Sequence, residues 1–281
     1  MKAAAFDYEK PLACDEAIRL VTPTDGMGKF VSGSQSLGPM MNLRLAQPEL
    51  LVDLRGIAAL RETRSDGEYG VIGACVTHAE IEDGAIEDGA IEDFTQGLMA
   101  HVARGIAYRA VRNRGTLGGS LAHADPAADW INVMCALAAD FLVAGPGGER
   151  VVASADWMAG AFTTALEADE ILTGVRIRRL SDTARWSYYK FNRKPGEFAE
   201  AIAVFIDDAR AGICRAVIGA IDAPPCLIAN ARALVDDPSP ALLDPCLTGA
   251  GLEPGTYEYQ VHRVALMRAA ATLREHGRNP Q

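Results

Sequence analysis

No two of the six cysteines, Cys14, Cys75, Cys135, Cys214, Cys226 and Cys246, stand in a C-x-x-C pair. That spacing excludes a zinc ribbon and an iron–sulfur cluster ligated by this chain alone, and it reads as the ordinary buried thiols of a reducing compartment. Basic residues are outnumbered, 27 Lys+Arg against 37 Asp+Glu for a formal net charge of −10. Nucleic-acid binding through a broad basic face is therefore excluded, and any phosphate site must be local. No stretch approaches ~18 uninterrupted apolar residues, and Asp7 and Glu9 interrupt the start before an apolar h-region can form, so the chain reads as soluble and cytoplasmic, with no membrane partner. No G-x-G-x-x-G follows a strand, and Gly33-x-x-x-x-Gly38 runs into Pro39-Met40 where a P-loop needs Lys and Ser/Thr. A hydrolase built from Ser34, Ser36 or Ser120 with His78, His101 or His123 lacks a G-x-S-x-G elbow.

What is present is a core-forming chain: 281 residues, 49% hydrophobic and 23% charged, enough for one large or two to three small domains. A strand and helix are expected within Phe6 to Leu20, a strand at Lys29 to Val31, a helix at Met40 to Leu45 and a strand at Leu50 to Leu54, an α/β pattern. Gly70 to Val76 reads as a strand, and Thr77-His78-Ala79-Glu80 as a capping box that makes His78 a first-turn residue. The repeated Ile-Glu-Asp-Gly-Ala of 81–90 has a five-residue period with a glycine in each unit, so it reads as a non-helical acidic surface insertion. Phe94, Leu98, Val102 and Ile106 form a helical stripe. Asp125-Pro126 predicts the N-cap and first turn of a helix over Ala127 to Ala139, with Asp129 in its first turn. A hairpin across Gly145 to Gly148, a helix from Ser154 and a strand from Ile171 to Ile177 follow. Beyond a polar patch at Arg178 to Ala184, strands are expected at Trp186 to Phe191, Ala199 to Phe205 and Ile213 to Ile221, then a helix at Val261 to Arg274. The division this implies is 1–55, 56–178 and 179–281.

Two glycine segments, Gly33 to Gly38 and Gly115 to Gly119, lie about eighty residues apart. Successive amides in tight glycine conformations form an anion nest, and a helix N-terminus adds about half a positive charge, so together they suit a diphosphate. Either loop alone reads equally as an ordinary turn.

The order of the motifs resembles a known family. Phe6-x-Tyr8-x-x-Pro11, Gly33-x-Gln35-Ser36-Leu37, Leu43-Arg44-Leu45-Ala46-x-Pro48, Val52-Asp53-Leu54 and Gly73-Ala74-x-x-Thr77-His78 precede the strongest piece, Arg112-Asn113-Arg114-Gly115-Thr116-Leu117-Gly118-Gly119-Ser120-Leu121-Ala122. Lys190-x-x-Arg193-Lys194-x-Gly196-x-x-Ala199 and Tyr259-x-x-x-Arg263 extend the match over nearly the whole chain. In this order they resemble the FAD-binding medium subunit of the molybdenum hydroxylases, the group of carbon monoxide dehydrogenase, quinoline oxidoreductase and the flavin domain of xanthine dehydrogenase. The resemblance implies an α+β fold with an α/β N-terminal part, a two-domain FAD cleft and a C-terminal antiparallel α+β domain. By the same resemblance Ser32, Gly33, Ser34, Gln35 and Ser36 form a first pyrophosphate loop and Thr116, Gly118, Gly119 and Ser120 a second. Asp129 matches a residue at the FAD sugar, Leu172 and Phe198 residues beside the flavin ring, Lys190 a lysine near the cofactor and Ile106 an adenine contact. It further implies electron transfer from [2Fe–2S] clusters of a small partner subunit, fed by a molybdenum pterin cofactor in a large one, in a dimer of heterotrimers. One departure stands out: Ser34 occupies the family's second glycine, costing on the order of 1 kcal/mol if that residue needs positive φ. A flavin-free nucleotide-binding scaffold and a self-contained FAD oxidase are the alternatives.

Overall fold

The computed structural model describes residues 2–86 and 89–276. The first part is α/β: β1 (Asp7–Glu9), α1 (Cys14–Val21), β2 (Gly28–Val31), α2 (Leu37–Asn42) and β3 (Leu50–Asp53), with the strands parallel in the order β1-β3-β2. Helix α1 turns Ala17, Ile18 and Val21 onto the sheet, where they share a core with Val52 and Leu54.

The middle part builds a five-stranded antiparallel sheet, β4-β5-β12-β8-β9, from β4 (Thr63–Asp66), β5 (Tyr69–Gly73), β8 (Asp140–Gly145), β9 (Gly148–Ala153) and β12 (Ile171–Arg178). Around it lie α3 (His78–Asp83), the short pair β6 (Ala85–Ile86) and β7 (Gly89–Ala90), α4 (Leu98–Arg104), α5 (Arg109–Arg112), α6 (Leu117–His123), α7 (Asp129–Leu137), and the hairpin of β10 (Met158–Gly160) and β11 (Thr163–Thr164). The last part pairs β13 (Arg185–Phe191), β14 (Ala201–Asp208), β15 (Ile213–Gly219) and β16 (Cys226–Ile228) antiparallel in sequence order. Helices α8 (Arg232–Asp236), α9 (Pro240–Gly249) and α10 (Tyr257–His276) follow, with Leu234, Leu243, Leu247, Leu266 and Leu273 buried against that sheet. The other side of the sheet meets α7: Ile202, Val204, Ile206 and Val217 belong to the same core as Trp130, Val133 and Met134. The end of α7 bearing Asp129 is thereby fixed between two sheets.

Several expected elements change. The first Ile-Glu-Asp is helical, closing α3 with Gly84 as a left-handed C-cap at φ 68, because glycine just past a helix end terminates it rather than penalising it. Glu87 and Asp88 of the second unit lie outside the described residues. The 94–106 stripe is helical only over α4: Phe94 precedes the N-cap Gly97 and packs against Gly70, while Gly105 ends the helix before Ile106. The helix foreseen from Ala127 begins at Asp129, since Asp125 caps a turn instead, its carboxylate accepting from the Ala127 amide at 2.9 Å. Ser154–Asp156 is one 3-10 turn leading into β10, not the start of a helix. Helix α2 spans Leu37–Asn42 rather than Met40 to Leu45.

Candidate functional site

Strand β2 buries Val31 and releases the chain at Ser32. Ser34 has φ 59 and Ser36 is right-handed at φ −109, ψ −52. Ser34 is thus the one residue of 32–36 in the left-handed region. The backbone amides of Ser32, Gly33, Ser34, Gln35 and Ser36 meet no acceptor among the described residues, while the Gln35 Nε2 donates to the Gly33 carbonyl at 3.0 Å and stiffens the loop. Five consecutive amide donors are therefore left for a ligand. Gly33 is dictated by proximity: a Cβ there would overlap the Arg114 carbonyl.

The second loop differs from its expected form. Gly118 and Gly119 are not in tight glycine conformations; they lie in the first turn of α6, and Gly115, Gly118 and Gly119 are absent from the positive-φ glycines. The amides here are already spent: Leu117 donates to the Val76 carbonyl at 2.9 Å, Gly118 to the Ala74 carbonyl at 2.8 Å, and Gly119 to Thr116 Oγ1 at 3.1 Å. Small size is the requirement instead. A Cβ on Gly118 would enter Ala74, and one on Gly119 would lie 2.8 Å from Thr116 Oγ1 and 2.9 Å from Ser32 Oγ. The two loops meet where Ser32 Oγ and Thr116 Oγ1 share a hydrogen bond of 2.8 Å. Ser120, the fourth residue of this turn, is half-buried in α6.

His78 supports this junction from below. As expected it opens α3, whose Thr77–Glu80 capping box is complete. Its amide donates to the Gly115 carbonyl at 2.9 Å, and the Trp130 Nε1–H donates to its Nδ1 at 3.0 Å. Burial, and secondarily the Arg112 charge, pushes the imidazole down to about 4, so at neutral pH it is uncharged and its single proton sits on Nε2.

Asp129, in the first turn of α7, is 6% exposed. Lys190 Nζ lies 3.0 Å from both of its oxygens and 3.3 Å from the Gly105 carbonyl, one residue before Ile106. Tyr188 donates its O–H to Asp129 Oδ1 at 2.5 Å. Burial, then the Asp129 charge, holds that phenol well above its ordinary value, and it stays protonated. Tyr188 is the residue the motif reading passes over. A signal existed: it is two residues before Lys190 on β13, and period-two alternation puts both on one face.

Leu172 is 5% exposed beside a bulge in β12 at which Thr173 is the extra residue; the Thr173 carbonyl accepts from the Ala74 amide at 3.0 Å, joining this strand to the second loop. Phe198 stands apart: it is 64% exposed and makes no ring contact among the described residues. Its neighbour Gly196, at φ 88, lies under the Tyr108 ring.

Free backbone amides and a buried carboxylate are the groups by which a protein holds a phosphate and a sugar hydroxyl. Residues 4–179 match the family described as the FAD binding domain in molybdopterin dehydrogenase. The nicotine 6-hydroxylase medium subunit of Paenarthrobacter nicotinovorans is 37% identical over 222 residues, 78% of this chain and 76% of that protein. The carbon monoxide dehydrogenase medium chain of Hydrogenophaga pseudoflava is 36% identical over 196 residues, 70% of this chain and 67% of that one. Among solved structures, carbon monoxide dehydrogenase from Hydrogenophaga pseudoflava superposes with a TM-score of 0.85 at 28% identity, covering 97% of this chain and 98% of the other. Quinoline 2-oxidoreductase from Pseudomonas putida 86 also gives 0.85 at 28%, covering 99% and 100%. With a family match over more than half its length and a relative 37% identical over 78% of it, this chain belongs to the FAD-binding medium subunits of the molybdenum hydroxylases.

Proposed function

We propose that this chain holds FAD and passes electrons from the [2Fe–2S] clusters of a small partner subunit to an external acceptor, within a cytoplasmic dimer of heterotrimers whose large subunit carries the molybdenum pterin cofactor. The observation that carries this reading is the run of unpartnered amides from Ser32 to Ser36, hinged to the second loop through Ser32 and Thr116. In this reading the amides bind the diphosphate, Thr116 to Ser120 close the far side, Asp129 accepts from a sugar hydroxyl, and Lys190 holds that carboxylate in place. Leu172 and Phe198 flank the ring and Ile106 lies by the adenine. Residues 1–55 and 56–178 supply the walls of the cleft, and residues 179–281 contribute β13 with Tyr188 and Lys190. A bound flavin can accept electrons singly and release them in pairs, which suits a junction between clusters and a two-electron acceptor. The chain's own contribution is to bind the cofactor, exclude competing poses and keep the ion pair beside it.

Co-expression with an iron–sulfur and a molybdenum subunit tests the assignment. The complex should reduce its flavin with substrate, and stripping the flavin should stop delivery to the final acceptor while substrate still reduces the molybdenum and iron–sulfur centres. The chain alone should turn over no aromatic or aldehyde substrate. Turnover by the isolated chain at ~1 s⁻¹ or faster, an ordinary enzyme rate, overturns the reading in favour of a self-contained oxidase.

A further inference from the structure

A buried carboxylate offers four lone-pair positions, and at Asp129 most are taken by the protein itself. Lys190 Nζ lies 3.0 Å from each oxygen and Tyr188 donates to Oδ1 at 2.5 Å. Oδ1 therefore carries two donors and Oδ2 one. The terminal torsion of an aspartate is broad and nearly two-fold, so a lysine bridging both oxygens does not by itself tell them apart. The phenol does: it is fixed on β13, whose register to β14 places Tyr188 opposite Val204 in the core beneath α7. We propose that Tyr188 is a positioning residue for the cofactor, acting through Asp129: it fills Oδ1 and leaves Oδ2 as the one oxygen able to accept from a ligand hydroxyl. This deepens the FAD reading and rests on it. The phenol suits the task because a protonated tyrosine only donates to a carboxylate, and the surrounding burial keeps it protonated.

Tyr188→Phe removes one oxygen and keeps the ring, so the packing stays and the carboxylate is free to turn. The experiment measures the FAD dissociation constant of the apo-chain by flavin fluorescence quenching for the unmodified chain, Tyr188→Phe, Asp129→Asn and the double variant, with the melting temperature of each apo-form beside it. Tyr188→Phe should weaken FAD about tenfold, and in the Asp129→Asn background it should cost less than twofold, because its effect runs through that carboxylate. Equal affinity for Tyr188→Phe and the unmodified chain overturns the inference. So does an additive cycle, or a loss confined to melting temperature, since a purely structural phenol would produce either. If Asp129→Asn fails to fold, Lys190→Met supplies the alternative background: Tyr188→Phe should then cost more than tenfold, the phenol being the last donor orienting the carboxylate, and a cost below tenfold again overturns it. No binding of FAD by the unmodified chain is a different outcome and overturns the FAD reading itself.

Discussion

Ser34 and the glycines of the second loop meet different demands, backbone conformation at the first and small size at the others. Ser34 occupies the left-handed region at φ 59, the cost anticipated when a serine replaces glycine there. Its hydroxyl makes no hydrogen bond among the described residues and lies 2.9 Å from where a Gly38 Cβ would stand, over the start of α2. Ser34→Gly should therefore leave FAD affinity within twofold, since the amide remains, and shift stability by less than about 1 kcal/mol, strain relief being offset by unfolded-state entropy. Titration checks this: a tenfold loss, about 1.4 kcal/mol, would make the hydroxyl a phosphate ligand. Gly118 and Gly119 part company under the same substitution. Gly118→Ala drives a methyl into the Ala74 backbone and should destabilise the fold by on the order of 2 kcal/mol, as overpacking does. Gly119→Ala meets only two hydroxyl ends, so it should leave the melting temperature nearly unchanged while disturbing the Ser32–Thr116 junction and weakening FAD. Chemical denaturation of the two variants separates them.

Among the elements, the first turn of α3 and α7 together support the second loop through His78 and Trp130. The His78 ring is neutral when folded, with a pKa pushed down to about 4 against 6.5 for an ordinary histidine. The unfolded chain thus binds the proton first as pH falls, and folding stability is lost between about 6.5 and 4, remaining complete above that window. The full effect is on the order of 3 kcal/mol. His78→Asn keeps an acceptor for Trp130 but does not titrate, so its stability should fall less steeply over that range than that of the unmodified chain; parallel curves would contradict the account. The elements themselves were unevenly legible. The strand at Leu50–Asp53, the Thr77–Glu80 capping box and the hairpin across Pro146 and Gly147 are local features, visible because the chemistry that makes them lies within a few residues. The division of labour between the loops was not visible. A run of Gly-Gly reads alike whether it turns freely or sits in a helix, and only the packing of Ala74 against Gly118 decides. Tyr188 escaped for a similar reason: its meaning comes from Asp129, 59 positions away, across two packed elements.

At the scale of the whole molecule, hydrogen bonds tie loop Ser32–Ser36 of the parallel sheet to Thr116 at the start of α6, and α7 of the middle part to β13 of the last sheet. The six cysteines are free thiols; burial pushes the one at Cys75 up to about 12 and the one at Cys135 to about 11, which makes them inert packing groups. No helix among the described residues is long and apolar enough to cross a membrane. The most direct measurement is the identity and amount of flavin released by acid from the purified chain, after incubation with FAD and FMN at equal concentration and removal of the excess. We expect FAD, not FMN, at one per chain, in keeping with the match of residues 4–179 to an FAD binding domain. Release of FMN, or of no flavin at all from a folded chain, would contradict it.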